Sequence, residues 1–147
     1  MYNIDKIKKE GFENMEQTNI KAIKEFLLYK KIVAWTENTI TLDDGTIISI
    51  EETEQDCCAS AFGTFSKVKL DAAITNVKLI EKESWKDEDT YGCRVKIIVL
   101  HNQNLVCEVN ANSDAGNGGY YYSIASFVVK VPTMEEKVII HCVGSDD

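Results

Sequence analysis

Polar and apolar positions change their period several times along the chain. The first dozen residues are mostly polar and read as an arm over residues 1–13. From Asn14 a helical spacing takes over: Ile20, Ala22, Ile23, Phe26 and Leu27 recur on one side, with Lys21, Lys24 and Glu25 on the other. Asn14 followed by Gln17 resembles a capping box. The spacing predicts one amphipathic helix at about residues 15–29, inside a segment 14–30.

Beyond Ile32 the period shortens to that of strands. Ile40 and Leu42 alternate before Asp44–Gly45, and Ile48 and Ile50 alternate after it, which predicts a hairpin whose tight turn needs a positive φ. EQDCCASAFG follows, and its small residues Ala59, Ser60, Ala61 and Gly63 suggest a tight turn or a short helix, with Asp56 as its cap. Three more strands are expected in ITNVKLIEK, YGCRVKIIVLHN and NLVCEVNAN, with ESWKDED as an exposed loop between the first two. Asn117–Gly118 is a turn dipeptide, and the aromatic, β-branched run after it favours strand. Pro132 ends that run, and EKVIIHCVG reads as a last edge strand. No repeat and no dividing linker interrupts the pattern. The expected fold class is α+β: an N-terminal amphipathic helix packed on a mainly antiparallel sheet, one domain over 1–147 with a β-rich body at 32–143.

Composition narrows the partners. A chain of 147 residues buries enough surface to fold without disulfide or metal, so no cofactor is required. The formal charge of −8 repels nucleic acid and favours basic partners, so direct DNA binding is not expected. No apolar run reaches membrane-spanning length, and the N-terminal stretch lacks the apolar core of a secretory signal. The expected location is the cytoplasm.

Five cysteines, Cys57, Cys58, Cys93, Cys107 and Cys142, form an odd and irregular set, which is not a disulfide framework. Cys57 and Cys58 are adjacent, and their Cα separation of ~3.8 Å lies below the usual disulfide range of ~4.4–6.8 Å. Structural zinc usually takes thiolates from C-x₂₋₄-C pairs. A zinc at Cys57 and Cys58 therefore needs a turn that bends them together and further ligands such as His101, Cys107, His141 or Cys142. Burial as packing thiols is the favoured reading. A nucleophile would need His101 or His141 beside one thiol, and Glu51, Glu52, Glu54 and Asp56 would raise the thiol pKa.

GNGGYYYS lacks the lysine and the spacing of a phosphate-binding loop. Read as a hairpin turn at Asn117 followed by strand, it cannot turn Tyr120, Tyr121 and Tyr122 to one face, so at least one tyrosine stands outward as a contact surface. The acidic runs with Glu51, Glu52 and Glu54, and with Asp87, Glu88 and Asp89, are ordinarily solvated faces. Their functional reading is an acidic surface aimed at a basic groove.

The blocks QDCC, HNQN and GNGGYYYS, in that order between about Ile32 and Val131, resemble a family of small bacteriophage and prophage proteins whose cellular role is generally unassigned. The resemblance implies a mobile-element accessory protein encoded beside genes that antagonise host defences, and it carries no activity onto particular residues. Gln55, Asp56, His101 and Asn102 are expected to form a hydrogen-bonded knot joining the cysteine turn to a neighbouring strand. The leading functional expectation is an inhibitor of bacterial immunity that binds a host effector, a CRISPR nuclease first of all, through acidic and tyrosine-bearing surfaces. A sponge for a nucleotide immune signal, built as a homo-oligomer, is the second. Arg94, the chain's single arginine, leaves that sponge short of phosphate ligands. A zinc or cysteine enzyme ranks third, because no catalytic signature supports it.

Overall fold

The structure is a computed structural model that describes residues 18–147. The polar arm, Asn14 and Gln17 therefore lie outside the described residues. Helix α1 occupies residues 18–27. Ile23 and Leu27 are buried, while Ile20, Ala22 and Phe26 pack half-buried against the same core, so the helical spacing faces inward as expected. The helix ends where Tyr29 takes φ 67° and its N–H donates 2.7 Å to the Ile74 carbonyl. That bond anchors the helix end to the segment leading into a strand.

Nine strands follow among the described residues: β1 Ile32–Trp35, β2 Thr39–Leu42, β3 Ile47–Gln55, β4 Ala61–Ser66, β5 Asn76–Lys86, β6 Tyr91–His101, β7 Asn104–Asp114, β8 Ser123–Lys130 and β9 Val138–Gly144. They form two wholly antiparallel sheets, one in the order β1-β2-β3-β8-β9 and the other β4-β7-β6-β5. The fold is thus α+β, with one helix near the N-terminus packed on two sheets. Alternation decides which side chains enter the core. Ile40, Ile48 and Phe127 from the first sheet meet Phe65, Ile97 and Val109 from the second, and α1 closes over them with Ile23 and Leu27.

The β2–β3 hairpin turns at Gly45, whose φ of 89° only glycine takes without strain. Ile40, Leu42, Ile48 and Ile50 are all buried, in keeping with the alternation. β9 lies at the sheet edge, again as the pattern predicts.

Of the two readings of EQDCCASAFG the tight turn holds: residues 56–59 turn and lead straight into β4, because Ala61 and Gly63 pair with Ser113 and Ala111. Two other local expectations need correction. Glu83 to Lys86 are not loop, since β5 runs on to Lys86 opposite Tyr91 and only residues 87–90 turn. Tyr120 to Tyr122 are not strand either, because β8 begins at Ser123. In the last two cases the long-range partner, not local composition, sets the strand end.

On the outer face of the second sheet, Glu108 is buried between Lys67 at 3.1 Å and Lys96 at 3.2 Å, with the Asn110 amide donating to it at 3.2 Å. Hydrogen bonds from Asn110 and Lys67, partly offset by burial, pull its carboxyl down from 4.5 to about 2. A depressed carboxyl pKa adds stability that is complete above the unfolded value and is lost as pH falls through the folded one. Glu108→Gln is therefore expected to lower the urea midpoint at pH 7, with the gap to the parent closing between pH 4.5 and about 2. A gap independent of pH would contradict this account of Glu108.

Candidate functional site

Antiparallel pairing sends the ends of seven strands, β3 to β9, to one end of the sandwich. Gln55 pairs with Ser123, Gly92 with Asp114, Ala61 with Ser113, Lys86 with Tyr91, and Ile124 with Gly144. The connections 56–60, 87–90 and 115–122 and the tail 145–147 consequently gather there. Backbone bonds lace them together: Asp56 N–H donates to the Tyr122 carbonyl, Gly118 N–H to the Asp89 carbonyl, and Ala115 N–H to the Tyr91 carbonyl. The Tyr91 hydroxyl donates to the Asp146 carboxylate at 2.9 Å.

Beneath these loops lies a knot of buried serines. The Ser113 and Ser123 hydroxyls are 2.6 Å apart, and Ser113 Oγ also lies 2.7 Å from the Ser123 carbonyl. Ser123 Oγ reaches the carbonyls of Ser60 and Asp114 at 2.9 and 2.7 Å. Each hydroxyl has one proton to donate, so Ser113 donates toward Ser123, which in turn donates to one of the two carbonyls. Ser145 closes the ring: its N–H donates to the Ser123 carbonyl and its hydroxyl accepts from the Ser123 N–H. The Asp114 carboxylate holds the rim, accepting from the Ser60 N–H and hydroxyl and from the Gly116 N–H.

The exposed groups at this end are mainly acidic, with one large aromatic. Tyr120 is 88% exposed. Asn117, Asp87, Glu88, Asp89, Glu54, Asp56 and Asp146 are exposed on the loops and strand ends gathered at the same end. Burial, and then the charges of Asp147, Asp146 and Glu54, push the Tyr122 hydroxyl pKa up, which places that ring within the negative field. Tyr121 and Tyr122 are half-buried. Of the sequence candidates, Tyr120, Asn117, Asp87, Glu88, Asp89 and Glu54 are thus brought together. Glu51 and Glu52 sit further along β3, where Glu51 accepts from the Ser49 hydroxyl and Glu52 accepts from the Ala61 N–H at 2.8 Å. Glu52 is therefore a strut between β3 and β4.

The cysteines depart from expectation. Cys57 and Cys58 are exposed, not buried packing thiols; Cys93 and Cys107 are the buried ones. Turn geometry overrides the general preference of cysteine for burial. Nor does His101 approach them. It ends β6, nine residues from Gly92, and at ~3.3 Å per residue this puts it roughly 30 Å from the cysteine end. There His101 Nδ1 lies 2.6 Å from the Ala73 carbonyl, and the Asn102 N–H donates to Thr75. The expected knot of Gln55, Asp56, His101 and Asn102 is two separate sets, with Gln55 donating instead to the Ala59 carbonyl. Among the described residues no three His, Cys, Asp or Glu side chains form a metal-holding group.

His141 pairs with Asp147, Nε2 to Oδ2 at 2.6 Å, beside a cavity of about 240 Å³ lined by Ile20, Leu79, Val95, Ile97, Phe127 and Cys142 among others. Burial, with a contribution from Asp147, lifts the Cys142 thiol to about 12, so it is protonated and inert at neutral pH. Asp146, Asp147 and the three serines carry no motif. Ser113 was legible only as the continuation of the inward alternation Cys107, Val109, Ala111.

A family model described as a domain of unknown function (DUF7448) matches residues 25–128. No curated protein and no solved structure matches the chain.

Replacing Ser123 by Ala removes the hydroxyl that links Ser113 to the Ser60 and Asp114 carbonyls. The expected loss is about 1–3 kcal/mol of unfolding free energy, read by urea denaturation; an unchanged midpoint would show that the knot contributes nothing.

Proposed function

We propose that this chain, which belongs to the DUF7448 family over residues 25–128, is a phage- or prophage-encoded inhibitor of bacterial immunity that acts by binding. Its partner is a host effector with a basic, nucleic-acid-holding channel, a CRISPR nuclease first of all. The observation that carries the docking mode is the convergence of Tyr120, Asn117, Asp87, Glu88, Asp89 and Glu54 on one end of the sandwich. A predominance of negative charge on a single end steers a basic partner and competes with nucleic acid for the same groove. The exposed tyrosine supplies an anchor of the kind that dominates binding energy at interfaces. The phage origin and the immune target rest on the resemblance of the QDCC, HNQN and GNGGYYYS blocks, and the site of action is then the host cytoplasm.

The nucleotide-sponge reading has less support. Phosphate groups favour arginine, and Arg94 lies 3.4 Å from Glu83 on the outer face of the second sheet. An enzyme reading lacks an activated nucleophile: His141 is paired with Asp147 as a general base would be, but the adjacent Cys142 thiol is pushed up to about 12 by burial, and His101 bonds to the Ala73 carbonyl away from Cys57 and Cys58.

Binding to a panel of guide-loaded and guide-free CRISPR nucleases tests the reading. Tyr120→Ala is expected to weaken binding by about 30-fold or more, the effect of losing a hot spot worth roughly 2 kcal/mol. The triple change Asp87→Asn, Glu88→Gln, Asp89→Asn is expected to slow association and flatten its salt dependence. Binding that ignores both variants would overturn the assigned surface. A nucleotide released on denaturing the freshly purified chain would instead favour the sponge.

A further inference from the structure

Cys57 and Cys58 are held in an arrangement that their sequence neighbourhood does not demand. Residues 56–59 form a turn closed by the Ala59 N–H and the Asp56 carbonyl at 3.2 Å, and Cys58 takes φ 80° at its third position. A turn with positive φ there normally uses glycine or asparagine, and a strained residue persists only where its surroundings over-determine it. Here they do. The Asp56 N–H is tied to the Tyr122 carbonyl at 2.8 Å, and the Gln55 amide donates to the Ala59 carbonyl at 2.9 Å. The Cys58 carbonyl is packed so closely on Gly116 that a Cβ there would sit 2.4 Å from its oxygen.

The consequence is chemical. Neighbouring side chains on an extended strand point to opposite faces, but this turn puts the two sulfurs on one side, 2.9 Å apart and exposed. Three ligand classes can be compared. Tetrahedral zinc wants four ligands, and no third ligand joins the pair among the described residues. A disulfide would have to close across a Cα separation of ~3.8 Å, short of the usual range, and Glu54 and Asp56 repel anionic disulfide reagents. A pyramidal trivalent centre asks for three substituents, and two thiols on one side of a turn can supply two of them. Carrying its own third substituent, it needs only two protein ligands, and soft thiolates are the ligands it prefers.

We propose that Cys57 and Cys58 form a preformed dithiol site for a soft trivalent centre of the organoarsenical class. Loading a monosubstituted arsine oxide forms two arsenic–sulfur bonds and breaks the arsenic–oxygen bond. The oxygen leaves as water with both thiol protons, and arsenic stays trivalent, so no oxidant or reductant is consumed. The site is independent of the docking reading.

The test treats the freshly reduced chain with phenylarsine oxide and follows intact mass under native conditions, in excess mercaptoethanol and then in dithiothreitol. One adduct per chain is expected. It should survive monothiol competition because two-point attachment strengthens retention by about 10²–10⁴-fold, and dithiol should remove it. Cys57→Ser and Cys58→Ser should each lose it, whereas Cys142→Ser should keep it. Thermal unfolding verifies that the variants fold. The urea-unfolded chain, whose turn is gone, should hold the adduct less firmly. The proposal is overturned by an adduct that monothiol strips, by retention in either single variant, by no adduct at all, or by equal retention in the unfolded chain.

Discussion

Ser113 and Ser123 meet 2.6 Å apart inside the sandwich, one from each sheet, and much else is positioned by that contact. Two hydroxyls buried together are costly unless every partner is supplied. Here the carbonyls of Ser60, Asp114 and Ser123 supply them, and the Ser145 hydroxyl accepts from the Ser123 N–H beside them. Meeting those requirements fixes where β7 ends, where β8 starts, where the cysteine turn returns into β4 and where the tail crosses. The polar knot sets the register of one end, while the apolar interior contributes most of the stabilisation.

That interior shows why the knot is tolerated. Ile40, Ile48 and Phe127 face Phe65, Ile97 and Val109 across the sheets, and α1 caps the opening with Ile23 and Leu27. Burial of such side chains stabilises by about 1.5–3 kcal/mol each, so the sandwich can carry a buried hydroxyl pair and a buried Glu108. Both polar features lie where three strands or loops must hold one register, and hydrogen bonds are directional where apolar contact is not.

The acidic end follows from the same geometry. Carboxylates spread through the sequence, at Glu54, Asp56, Asp87, Glu88, Asp89 and Asp146, become neighbours because antiparallel strands return their loops to one edge. The self-repulsion of such a cluster is screened by water over about 8–10 Å, and the backbone bonds between the loops hold them in place. Tyr120 is exposed because the Asn117–Gly119 turn is pinned to Asp89 and leaves its side chain no sheet to join.

The sequence by itself determined the elements whose partner is generic: an amphipathic helix, a hairpin at Asp44–Gly45, alternating strands and an edge strand after Pro132. Their signal is a period of apolar side chains, and any apolar surface satisfies it. Tertiary structure alone decided matters that depend on a particular distant partner. β5 runs through Glu83–Lys86 because Tyr91 to Arg94 lie opposite, and Tyr120–Tyr122 stay outside β8 because Ser123 is claimed by the serine knot. Cys57 and Cys58 are exposed because Gly116 and Tyr122 lock their turn. His101 lies at the opposite end of β6 from the cysteine turn because that strand is eleven residues long. A linear pattern reports which face a residue prefers, but the register between strands far apart in sequence decides which residues share an end, and a single chain does not encode that register locally.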